Sequence, residues 1–152
     1  MKRNALMVLG LIMSIALVAG GCGGDSDDND AALTKPEFLA KGNAICQAGN
    51  KEIQTAFETA IGKEQPTQEQ LNSVVTDSLV PSIQGQIDDI RDLPAPEGDE
   101  DRIGQTLDEA ELALQDVKEN PSLATQQGGQ DPFADVNQQM NDYGLTACGD
   151  SE

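Results

Sequence analysis

The stretch TKPEFLAKGNAICQAGNKEIQTAFETAIG, residues 34–62, decides the fold class. Thr34-Lys35-Pro36-Glu37 has the form of a capping box: the Thr hydroxyl accepts from the backbone near Glu37, whose side chain reaches back. Pro36 is tolerated in a first turn, where its missing N–H has no helical partner anyway. Wound at about 100° per residue, Phe38, Gly42, Ile45, Cys46, Gly49, Ile53, Ala56, Phe57 and Ala60 share one face within roughly 120°. Lys41, Gln47, Lys51, Glu58 and Thr59 point elsewhere. The spacing predicts one long amphipathic helix ending near Gly62. Helical glycines cost about 1 kcal/mol each relative to Ala. Gly42 and Gly49 sit on the buried stripe on either side of Cys46, so close approach of another segment is the expected offset.

Three further segments follow the same period. Thr67-Gln68-Glu69-Gln70 is a second capping box, opening a helix with Leu71, Val75 and Leu79 on its stripe. Pro81 interrupts it. Ile83, Ile87, Ile90 and Leu93 then continue on a face rotated by about 80–100°. A proline removes an internal hydrogen bond and bends a helix, so a kink is expected, with a candidate cleft at Ser78, Pro81 and Ser82. The turn Pro94–Asp99 is followed by a third helix from about Asp99 or Glu100 to Glu119, with Ile103, Leu107, Ala110, Leu114 and Val117 as its stripe. Residues 121–131 read as a loop. Asp131 then caps a shorter helix carrying Phe133, Val136, Met140 and Tyr143, and Gly144 fits the left-handed stop of a Schellman motif. No stretch alternates as a strand does. The expected fold is all-α: an antiparallel four-helix bundle with a kinked second helix.

Upstream, the chain opens with Lys2 and Arg3, an apolar run from Ala5 to Ala19, and Gly20-Gly21-Cys22. The run is too short for the roughly 20 residues that a spanning helix needs. The order is that of a secretory signal. Its end resembles bacterial lipoprotein boxes, with Ala19 where those favour Leu, and the resemblance implies cleavage after Gly21 and lipidation of Cys22. The stretch Gly23–Asp30 is acidic and poor in apolar residues, a composition that does not fold. Asp25, Asp27 and Asn29 have calcium-loop spacing, but such a loop needs Gly and Glu where Asp30 and Pro36 stand. The expected organisation is a signal peptide at 1–21, a lipidated cysteine and flexible acidic tether at 22–33, the helical domain at 34–149, and a short tail at 150–152.

The chain has three cysteines. With Cys22 assigned to lipid, Cys46 and Cys148 have only each other in an oxidising compartment. A bridge between them encloses about 100 residues, contributes about 3–5 kcal/mol by a loop-entropy argument, and closes the bundle. Gly42 and Gly49 then give clearance to the docking tail. A redox or metal pair is the competing reading.

The same residues carry a second likeness. Lys35, Glu37, Phe38, Leu39, Asn43, Ile45 and Cys46, with Tyr143-Gly144-Leu145 and Cys148-Gly149 at the other end, resemble a group of small secreted or lipidated proteins from actinobacteria. The resemblance implies an envelope location and supports the disulfide. It implies no activity and no site.

Without residues 1–21, 7 basic and 27 acidic residues remain, a net charge of −20. That charge repels phosphate and excludes nucleic acid as a partner. It also disfavours adhesion to anionic head groups, leaving an acyl chain at Cys22 as the link to the membrane. There is no His, the usual general base and metal ligand. No phosphate loop, nucleophile elbow or cofactor motif occurs. Adjacent acids such as Asp88-Asp89 splay apart on a helix and read as solvated surface. The expectation is a non-catalytic interaction or structural module on the extracytoplasmic face of the cell membrane, facing a basic envelope protein, without catalytic, metal or cofactor residues. The alternative is a binding module for a small apolar, cell-wall or cationic ligand in a cleft between helices.

Overall fold

The computed structural model describes residues 31–61, 65–125 and 131–149. The leader, Cys22, the acids of the spacer and the tail at 150–152 lie outside the described residues. Helix α1 spans Lys35–Ile61. Glu37 reaches back as expected, its carboxylate accepting the Thr34 N–H at 3.0 Å. The Thr34 hydroxyl donates to the same carboxylate instead of accepting from the backbone, so only the Glu37 half of the expected capping box forms. Those bonds hold the Glu37 carboxyl below its ordinary pKa.

Helix α2 (Gln68–Val74) opens on a complete capping box, with Gln70 N–H donating to Thr67 Oγ1 and Thr67 N–H to the Gln70 side chain. The chain then passes through a π segment, Val75–Leu79, into α3 (Val80–Arg91). The Val80 N–H donates five residues back, to the Val75 carbonyl. This wider turn explains the phase break seen in the sequence. One extra residue rotates the downstream face by about 100°. The rotation brings Val74, Val75, Val80, Ile87 and Ile90 to the core together. The π segment ends two residues before Pro81, whose ring in a regular helix would crowd the carbonyl four residues back.

Helix α4 (Glu100–Glu119) buries Ile103, Leu107, Ala110, Leu114 and Val117 as its periodicity requires, with Thr106 and Ala113 beside them. Each fully buried Leu of this kind contributes about 1.5–3 kcal/mol. A 3-10 turn, Pro121–Ala124, replaces the expected loop start and packs on α2, the π segment and α4. Asp131 does not cap the next helix as expected: its side chain accepts from the Phe133 N–H at 2.9 Å and closes a turn that holds Pro132 and Phe133, and α5, Ala134–Tyr143, starts after Phe133 with no side-chain cap.

Gly144, at φ 111°, ends α5. Gly144 N–H to Asn141 C=O and Leu145 N–H to Met140 C=O are the two bonds of a Schellman stop. A short helix the sequence did not announce, α6 (Thr146–Gly149), carries Cys148. Among the described residues there is no strand. Helix α1 packs on α2, α3 and α6, α3 on α4, and α4 on α5, around a core centred on Phe38, Leu107, Leu114 and Leu145.

Candidate functional site

Cys46 and Cys148 form a disulfide, with Cα atoms 5.0 Å apart and 102 residues between them in sequence. The bond is one part of a larger latch. Asn43, Cys46 and Asn50 lie three and four residues apart, so they share one flank of α1. Asn43 Nδ2 donates to the Leu39 and Gly144 carbonyls, and Asn43 Oδ1 accepts the Ala147 N–H at 2.8 Å. Asn50 Nδ2 donates to the Ala147 carbonyl, also at 2.8 Å. Leu145 sits over Gly42, where a Cβ would stand 2.6 Å from Leu145 Cδ2. Gly42 therefore provides the expected clearance for the tail. Gly49 does not: its open face is filled by the Gln86 side chain of α3, and the Ser82 hydroxyl donates to the Gly49 carbonyl at 3.3 Å. The sequence signal for this latch is a pair of asparagines seven residues apart, Asn43 and Asn50, flanking Cys46 at the edge of the apolar stripe.

A second cluster closes one end of the domain, where the Leu33 N–H donates to the Pro94 carbonyl. Tyr143 is buried and its hydroxyl donates to Asp99 at 2.8 Å. Lys35 Nζ lies 4.0 Å from the centre of the Tyr143 ring and 3.5 Å from the Asp99 carboxylate. Arg102 lies over the same ring at 5.1 Å, and Phe38 meets it edge-on. The Tyr143 hydrogen bond, with Lys35 nearby, holds the Asp99 carboxyl below its usual range. Burial, then the bond to Asp99 and its charge, push the Tyr143 hydroxyl well above the ordinary tyrosine value. Nothing in the sequence linked these residues, which come from three helices and a turn.

A small, partly open recess of about 10 Å³ lies among Ile90, Arg102, Leu107, Gln139, Met140 and Leu145, room for a single water. The larger concavity is on the surface, an open groove of about 1110 Å³ between α1 and the α2–π segment. Ser78 lines it, whereas Ser82 is turned onto α1 and Pro81 is exposed. The structure thus separates the three residues of the cleft expected at the proline. On the far side, Arg91 bridges α3 to Asp108 and Glu111 of α4, which lowers the Glu111 pKa. No helix among the described residues is long and apolar enough to cross a membrane. Compared with protein-family models, curated proteins and solved structures, the chain matches none.

Proposed function

We propose that this chain is a lipid-anchored module on the extracytoplasmic face of the cell membrane, presenting a rigid helical surface to a protein partner rather than performing catalysis. In this reading residues 1–21 are removed, Cys22 carries the lipid, and 34–149 pack as an antiparallel four-helix bundle bent near Pro81. The observation that carries it is the fixing of both ends of the domain. The C-terminal segment is held to α1 by the disulfide and by Asn43 and Asn50. The entry is held by Leu33 at the turn before α4. Such a body suits presentation of a surface better than closure around a substrate.

In this reading the tether enters at the end bearing Leu33, and residues 22–32 span at most about 40 Å, which keeps the domain close to the membrane. With an acidic surface, the partner's complementary face is basic. Photo-crosslinking in intact cells tests this: a recurring protein adduct is expected, and recovery of bulk lipid alone would overturn it.

A further inference from the structure

We propose that the groove between α1 and the α2–π segment is the docking site for one amphipathic, basic helix of a partner protein. The proposal rests on the interaction role above and names the surface and the chemistry of the partner. The groove follows α1 from Ala48 to Ala60 and the opposite wall from Glu69 to Ser78. At 1.5 Å per residue the α1 wall is about 18 Å long, a little over three helical turns. A partner helix of about 12 residues matches that wall in length.

The walls suit packing rather than polar capture of a small ligand. Ala56, Ala60 and Ser73 keep the floor low, and small side chains let helix axes approach. Thr55 and Thr59 contribute no free hydroxyl donor: their Oγ1 groups donate to the Lys51 and Thr55 carbonyls at 2.8 and 2.7 Å. Charge then selects the occupant. Among the described residues, Glu52, Glu69 and Asp77 line the groove beside Lys51. Lysines or arginines flanking a partner's apolar stripe meet these carboxylates. A second copy of the chain would set the same acids face to face. The groove also lies away from the anchored end, because Ala56 is about 30 Å along α1 from Lys35.

The test uses the purified full-length lipoprotein in detergent micelles. The probe is a synthetic helical peptide of about 18 residues, with an Ala/Leu stripe flanked by lysines. Its control carries glutamates in place of the lysines. Saturable binding of the basic peptide alone is expected, with NMR shifts concentrated on Thr55, Ala56, Ser73 and Asp77. Ala56→Leu should weaken binding about tenfold or more by filling the floor. Ser73→Leu, at an exposed position, gives the same block should Ala56→Leu disturb folding. Glu69→Gln with Asp77→Asn should weaken binding several-fold and flatten its salt dependence.

Absence of saturable binding overturns the proposal. So do shifts spread over the acids of α4 with no effect of the floor variants, or native mass spectra showing a small ligand in the groove. Crosslinks from cells that join a partner to α4 would sink the groove while leaving the interaction role standing. Peptide binding in the groove with no partner recovered from cells would do the reverse.

Discussion

At Gly42 a single hydrogen in place of a methyl group decides whether the tail can dock. Gly42→Ala would place a Cβ 2.6 Å from Leu145, in a well-packed interior where displacement costs about 1–3 kcal/mol. Gly85→Ala is the internal control. It is also helical, but no atom lies within 4 Å of its added Cβ, so it should stabilise by about 0.5–1 kcal/mol. Urea unfolding of the two variants should move in opposite directions, and equal shifts would contradict the packing described.

Tyr143 gives a second residue-scale test, because it is the sole tyrosine of the chain. Its raised pKa means that its contribution is fully present below the unfolded value of about 10 and is lost as pH rises beyond it. Asp99 works the other way. Its lowered pKa contributes above the usual carboxylate range and is lost as pH falls through the folded value. Phenolate absorbance of the native protein should therefore appear well above pH 10, together with unfolding. A midpoint near 10 with helicity intact would contradict the buried Tyr143–Asp99 bond. The Asp99→Asn variant should show a flatter acid limb in its stability profile.

At the scale of elements, the four main helical stretches and the Thr67 capping box were readable because capping boxes and 3.6-residue stripes are local signals, whereas the Asp131 cap was not, because its side chain closes the turn ahead of α5. Thr67–Gln70 and the α4 stripe formed as written. The π segment was half-legible. The rotated face beyond Pro81 signalled a phase break, but one sequence cannot distinguish a bend from an inserted residue. The assignments of Gly49 and Ser82 failed for a different reason, since which neighbour meets a glycine depends on how helices cross. Likewise α6 is too short for a periodic pattern, and the Lys35–Asp99–Tyr143 cluster spans residues brought together only by packing. The π account makes its own prediction. Deleting Thr76 restores an ordinary helical register and puts Pro81 in a regular helix interior, which costs about 3 kcal/mol. Adding Pro81→Ala to the deletion should recover most of that loss in thermal unfolding. A deletion variant that stays equally unstable with or without the proline would show that the π segment does not serve to accommodate it.

For the whole molecule, the disulfide and the asparagine latch act on the same segment in different ways. The hydrogen bonds position the tail, while the covalent link shortens the unfolded chain and adds about 3–5 kcal/mol by the entropy argument. Double replacement of Cys46 and Cys148 by Ala should lower stability by that order and still allow the tail to dock through Asn43 and Leu145. The central claim is that three cysteines divide into one lipid anchor and one closing bridge. Its most direct test is the intact mass of the protein isolated from its own membranes, measured without reduction and after exposure to an alkylating agent. The account predicts a chain beginning at Cys22, heavier by an acylated glyceryl group, with Cys46 joined to Cys148 and no thiol alkylated. An unmodified Cys22, or alkylation of Cys46 and Cys148, would contradict it.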